Sequence, residues 1–403
     1  MNKVSTLICA TIILGLGSAV QAADKLPDFL SKVQLHNFDG YELTPDGKGV
    51  SVYRLPAETL AHLSEKGVRT MVGSQSCEIR FVLKDGAKLE DVMIRLKSNR
   101  ETEISFYRGD ELCGETNLRA KKGVEPYIPA SLVGKTETAQ SKDIACEIDL
   151  KPATLKLLES KPKGKKKGEE PKAEAKVEGP KPAKRYPEQV YRVVLQGGVI
   201  TLTGIDGDIR PPKPEELPPV LVSYGTSISK GASATNPEGS FTALTAAAFG
   251  YSLRNLGCSG SAFCEPELAD YLAKQPGDLF LFEISVNMVG NNFEVAEFRK
   301  RAAYLIDAVA KAHPKAPVVC ISILPYGRDK NEKTAARPRE FRKALEDICR
   351  STPHKNVHFV DGTKLLSFTG LSGDNIHPTA AGHAEIATKL IPQIRAILGA
   401  KGK

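Results

Sequence analysis

Beyond Pro219 the chain alternates short apolar runs with longer amphipathic stretches, and that alternation constrains its fold more than any other feature. The apolar runs are Val220–Ser223, Ser252–Leu256, Leu279–Ile284, Val318–Ile323 and Val357–Val360. Stretches of helical period separate and follow them: Phe241–Phe249, Pro266–Lys274, Phe293–Ala312, Arg339–Arg350 and Ala381–Leu398. Apolar strands of this kind need cover on both faces, which the alternating helices supply. Residues 219–400 are therefore expected to form an α/β, flavodoxin-like three-layer sandwich with a five-stranded parallel sheet. In such sheets the working groups gather at the carboxyl ends of the strands.

Four polar features fall at those ends. Ser227 follows the first strand, in Tyr224-Gly225-Thr226-Ser227-Ile228, where a tight turn leads into a helical segment. Gly257-Cys258-Ser259-Gly260 follows the second strand and Ser285-Val286-Asn287-Met288 the third. Asp374-Asn375-Ile376-His377-Pro378 follows the fifth. Singly, each has a plain structural explanation: a helix cap, a turn, a polar loop residue, a turn closed by proline. Together, in order along one sheet edge, they point to a site.

In these four blocks the chain resembles the SGNH hydrolases, the GDSL-type esterase superfamily, whose blocks carry Ser, Gly, Asn and His in that order. The resemblance runs from Val220 to Leu398. It is nearest to the branch with Tyr-Gly-Thr-Ser-Ile in the first block, here Tyr224–Ile228, and Asn-Leu-Gly-x-Ser-Gly in the second, here Asn255–Gly260. The third block departs from the pattern, with Ser285 where the branch carries glycine. The fourth, Asp-x-x-His-Pro, is intact. The branch often carries a β-sandwich ahead of the hydrolase domain.

The residue types match the chemistry that this resemblance implies. A serine hydroxyl is a weak nucleophile until a neighbouring base takes its proton. His377 is the expected base and Asp374, three residues earlier, its orienting carboxylate. The Ser227 and Gly260 backbone N–H groups and the Asn287 side-chain amide are the expected oxyanion donors, with Gly257 as the alternative glycine. His383 reads as structural. A metal site of Asp374, His377 and His383 would lack a fourth ligand, so no metal or other cofactor is expected. The resemblance implies a serine esterase acting on O-acyl groups, foremost O-acetyl, of a polysaccharide or oligosaccharide. No residue here identifies a sugar by itself. An inactive glycan-binding module and an esterase or lipase for small non-carbohydrate esters remain open.

Upstream, residues 23–210 read as a small all-β, jelly-roll-like sandwich. Glu78–Leu83, Asp91–Leu96 and Ile104–Arg108 are strand-like runs separated by turn signals, and Val190–Leu195 and Val199–Thr203 would complete the sheets. Arg54–Gly67 has room for a short helix. An insertion at about 159–187 interrupts this domain. Its Lys161–Arg185 core has ten Lys/Arg against four Glu and one large apolar residue, Val177. Such a composition cannot offset its ordering entropy, so a disordered, solvated tether is expected. Residues 211–218 form a proline-rich connector.

Met-Asn-Lys, an apolar run from Leu7 to Leu16 and Val20-Gln21-Ala22 describe a signal peptide over residues 1–22. An exported protein, periplasmic or secreted, is expected, with no membrane span. Most of the formal charge of +8 lies in the insertion, so the folded parts are close to neutral and no nucleic-acid surface is expected. Nothing in the sequence sets an oligomeric state. Cys258 and Cys264 flank the glycine turn at a spacing that allows a local bridge or two free thiols. His36 and His62 are isolated histidines without a catalytic setting.

Overall fold

The computed structural model describes residues 26–118, 146–150 and 179–399. The signal peptide and most of the charged insertion lie outside the described residues.

The first part of the chain forms two antiparallel sheets. Its strands are β1 (Gln34–His36), β2 (Gly40–Leu43), β3 (Val50–Tyr53), β4 (Cys77–Leu83), β5 (Met93–Ser98) and β6 (Thr102–Arg108). They continue with β7 (Glu111–Leu118), β8 (Cys146–Leu150), β9 (Val190–Gln196), β10 (Ile200–Asp206) and β11 (Ile209–Arg210). One sheet has the order β1-β4-β9-β6-β7, with β11 beside β4, and the other β2-β3-β10-β5-β8. Strict alternation in β5 sends Ile94 and Leu96 inward and leaves Met93, Arg95 and Lys97 half-exposed. The two inner faces meet over Phe81, Phe106 and Val193 of the first sheet and Ile94, Leu96 and Ile200 of the second. After the insertion, β9 pairs with β4 and β6, and β10 with β3 and β5.

The end of the insertion corrects one expectation. Arg185 pairs with Asp110 at 2.9 Å and with Glu238 at 3.1 Å, and Tyr186 is 1% exposed. Arg80 and Arg192 stack over the Tyr186 ring. A solvated stretch reaching residue 187 is thus too long at this end, because its closing residues find carboxylates and a buried ring site.

Between β3 and β4, α1 (Ala57–Leu60) and α2 (Glu65–Met71) stand where one short helix was expected. The parallel sheet comprises β12 (Val220–Gly225), β13 (Ser252–Gly257), β14 (Leu279–Glu283), β15 (Val318–Ile321) and β16 (Val357–Val360), in the order β13-β12-β14-β15-β16. All its pairings are parallel. Its helices are α3 (Ser227–Lys230), α4 (Phe241–Ala248), α5 (Pro266–Lys274), α6 (Val286–Gly290), α7 (Val295–Ala312), α8 (Glu332–Ser351) and α9 (Ala380–Gly399). In β14, Phe280 and Phe282 face the layer of α5, α7 and α8, while Leu279 and Leu281 face α4 and α9. This is the three-layer α/β sandwich that the sequence predicts.

Helix α8 begins earlier than its expected start at Arg339, with Pro338 inside it. The Asn331 side chain caps the helix by accepting the Lys333 N–H, and Glu332 pairs with Arg339 across the proline turn. Those contacts stabilise a first turn that proline alone would disfavour.

The β-sandwich covers the outer edge of β13. The His36 ring bonds the Leu253 carbonyl at 2.8 Å, and Asn37 donates to the Asn255 carbonyl at 3.0 Å. Arg54, fully buried, donates to the carbonyls of Asn255 and Gly257, both at 3.1 Å, and to those of Gly73 and Thr70. An edge strand would otherwise leave these acceptors unpaired. The junction therefore satisfies the strand that carries the glycine turn.

Candidate active site

Strand β12 ends in a turn that only glycine permits. A Cβ on Gly225 would lie 2.3 Å from Ser229 Oγ and 2.4 Å from the Glu283 carbonyl oxygen. Thr226 then caps α3, its hydroxyl oxygen accepting the Ile228 N–H at 3.2 Å. The same hydroxyl donates to Glu283 Oε2 at 2.6 Å, and the Thr226 N–H and Ser229 hydroxyl donate to that oxygen at 3.1 Å each. Gly231, at φ +97°, closes the short helix in the left-handed conformation. Ser227 opens a single turn that is thus held at both ends and from beneath.

Ser227 Oγ lies 2.7 Å from His377 Nε2, and His377 Nδ1 lies 2.5 Å from Asp374 Oδ2. The other Asp374 oxygen accepts from the Ser372 hydroxyl at 2.7 Å, the Ile376 N–H at 2.9 Å and the His377 N–H at 3.0 Å. Partial burial opposes the charge on Asp374. The hydrogen bonds from the His377 ring and from the two backbone N–H groups outweigh it, and hold the carboxyl well below its ordinary range. The loop is fixed by the Ser372 N–H to the His377 carbonyl at 2.8 Å and by a bridge between Leu371 and Pro378.

Asn287, on α6, accepts the Ala262 N–H on Oδ1 at 3.1 Å, and its Nδ2 bonds no described residue. Gly260 has φ +67°, and its N–H is likewise unengaged among the described residues. The Gly257 N–H instead donates to Asn255 Oδ1 at 2.9 Å, which separates the two candidate glycines. Ser285, where the resemblance would place glycine, is buried with φ +98°. That left-handed backbone explains why glycine suits the position.

His383 takes no part in the array. Its Nδ1 accepts the Phe241 N–H at 3.3 Å and its Nε2 bonds the Ala232 carbonyl at 2.9 Å. Both ring nitrogens are occupied, which removes it from the alternative metal set. Cys258 and Cys264 are free thiols in the buried wall of the site, so the bridge that their spacing allows is not formed. Burial pushes the Cys258 thiol up to about 12. His62 is exposed and faces Glu267 at 3.4 Å, while His36 is a satisfied core residue.

Sequence reasoning missed Glu283. It is 1% exposed, and burial pushes its carboxyl up to about 7 despite the Thr226 and Ser229 bonds. Its Oε1 bonds no described residue. A lone acid ending the apolar run Leu279-Phe280-Leu281-Phe282 was the available signal. Sequence reasoning also missed that the first domain packs on the glycine turn, where the Ser64 and Ser261 hydroxyls are hydrogen-bonded, because α2 lies far from the four blocks in the chain.

Comparison with known proteins agrees with this fold. Residues 219–395 match the family model of the GDSL-like lipase/acylhydrolase family. No curated protein matches the chain. Among solved structures, the salicylyl-acyltransferase SsfX3 from a tetracycline biosynthetic pathway superposes with a TM-score of 0.65 at 14% identity, over 94% of this chain and 98% of that one. A family two carbohydrate esterase from Clostridium thermocellum, in complex with cellohexaose, gives 0.53 at 15% identity, over 91% and 99%. Its counterpart from Cellvibrio japonicus gives 0.53 at 13%, over 92% and 96%. At such identities the structures share a fold, and they share it across both domains. Family match, parallel sheet and ordered blocks together make the C-terminal domain a member of the GDSL-like lipase/acylhydrolase family, and the protein a carboxylic ester hydrolase.

Proposed function

We propose that the protein is an exported serine esterase that removes O-acyl groups, foremost O-acetyl, from a polysaccharide or oligosaccharide. The observation that carries this reading is the chain of hydrogen bonds from Asp374 through His377 to Ser227. In it, His377 Nε2 takes the Ser227 proton as Oγ attacks the ester carbonyl carbon. The oxyanion accepts hydrogen bonds from the Ser227 and Gly260 N–H groups and from Asn287 Nδ2. The imidazolium returns its proton to the departing sugar oxygen, leaving Ser227 acylated. A water, deprotonated by His377, then attacks the acyl carbon and releases the acid.

A carbohydrate substrate is supported by the shared two-domain fold with carbohydrate esterases, one of them in complex with cellohexaose. Export is supported by the leader of residues 1–22. The array also argues against an inactive glycan-binding module, since each group stands ready for acyl transfer. Purified protein should release acetate from p-nitrophenyl acetate and from at least one of acetylated xylan, pectin and peptidoglycan fragments. Hydrolysis of the small ester with no acetate from any glycan would leave an esterase of small molecules.

A further inference from the structure

Helices α1 and α2 belong to the first domain by chain connection, yet they pack on the glycine turn of the second. Ser64 caps α2 by accepting the Gly67 N–H, and its hydroxyl is hydrogen-bonded to that of Ser261. Two residues further, Lys66 reaches over Gly260. Its Nζ and Cε lie 2.2 and 2.5 Å from the point that a Cβ at position 260 would occupy, so a glycine is what leaves room for the ammonium.

Lys66 is exposed, and among the described residues no carboxylate lies within ion-pair distance of it. Helix stability does not account for it. A cation in the first turn faces the positive end of the helix dipole, and the residue four positions on is Thr70. The acids around it are engaged: Glu65 pairs with Arg69, and Glu267 faces His62. Glu265 is buried, with its carboxyl pushed up to about 7 by desolvation. Behind the turn the charge is positive as well. Arg54 is committed to backbone carbonyls, and Lys230 follows Ser227 by one turn. Burial first, then the nearby Arg54 and Arg100, pulls Lys230 down to about 8.

We propose that Lys66, supplied by the β-sandwich domain, is a substrate-binding residue that engages an anionic substituent, carboxylate or sulfate, on the acylated glycan. This rests on the serine-esterase reading of the same site. An unpaired ammonium on a flexible stem beside an expected oxyanion donor suits a charged group flanking the ester.

The test compares kcat/KM on three acetylated polymers: polygalacturonate, a sulfated galactan and neutral glucomannan. Lys66→Met should lower the ratio of acidic to neutral kcat/KM roughly tenfold, mainly through KM, as expected for losing a hydrogen bond to a charged group. Lys66→Arg should retain the wild-type ratio. A loss confined to the polyuronide identifies carboxylate, and one confined to the galactan identifies sulfate. An unchanged ratio, or an equal loss on all three polymers, overturns the proposal. So does a wild type that hydrolyses p-nitrophenyl acetate but none of the three, an outcome that leaves Ser227 as nucleophile standing. Full activity in Ser227→Ala would instead sink the serine reading itself.

Discussion

Glu283, buried at the end of β14, accepts both the backbone N–H and the hydroxyl of Thr226, the residue immediately before Ser227. A central strand thereby fixes the turn at the end of its neighbour. Burial raises the Glu283 carboxyl from an ordinary 4.5 to about 7. Between those values the folded protein holds a proton that the unfolded chain has lost. The stabilisation is complete below about pH 4.5 and is lost as pH rises through about 7. At 1.36 kcal/mol per unit the change is roughly 3 kcal/mol. Glu283→Gln cannot titrate, so its stability relative to wild type should rise by about that amount from pH 4 to 8. Glu265 is present in both proteins and cancels. Denaturant midpoints across this range measure it, and parallel curves for the two proteins would refute it.

Ser227→Ala should abolish esterase activity and leave the fold intact, because the hydroxyl bonds only His377 among the described residues. Asn287→Ala removes a side-chain donor and should lower kcat by about 10²–10³. Asn287 Oδ1 also holds the Ala262 N–H, so circular dichroism must first show a folded variant. If Ser227→Ala keeps more than a few per cent of wild-type kcat, the nucleophile is misassigned.

Asp374→Ala should cost about two orders of magnitude less in kcat than His377→Ala, following the pattern of triads in which the base matters more than its orienting acid. The Asp374 side chain is 48% exposed, so water can take over part of its role. Its carboxyl is held well below the ordinary range and stays charged in mild acid. Steady-state kcat of the two folded variants measures the difference, and equal losses would count against Asp374 as the orienting acid.

The legible parts of this protein were those written in local pattern. Short apolar runs alternating with helical patterns located all five strands of the parallel sheet, and the blocks around Ser227, Gly260, Asn287 and His377 are each contiguous. What escaped was set by burial and by distance along the chain. Glu283 looks like the polar end of a strand until Thr226 and Ser229 are seen donating to it. The early start of α8 was hidden by Pro338, whose usual helix-breaking effect is offset by the Asn331 cap. Lys66 lies far from Gly260 in sequence and meets it only because the β-sandwich packs on β13.

That packing depends on Arg54, which makes four hydrogen bonds to backbone carbonyls and has no exposed surface. Two of the acceptors, Asn255 and Gly257, lie in the strand that ends at the glycine turn. Arg54→Met keeps much of the side-chain volume but withdraws a donor from four carbonyls, of which Asn255 keeps the Asn37 amide, at about 1–3 kcal/mol for each buried group left unpaired. Relief of the desolvated positive charge offsets part of that cost. The net expectation is a folded protein destabilised by roughly 2–4 kcal/mol, within the range seen when a buried polar network is broken. Activity should fall in parallel, because the turn that presents the Gly260 N–H loses its support from the first domain. Urea unfolding gives the stability, and p-nitrophenyl acetate hydrolysis well below the transition gives the rate. A variant with lowered stability but wild-type kcat would show that the junction holds the domains together without shaping the site.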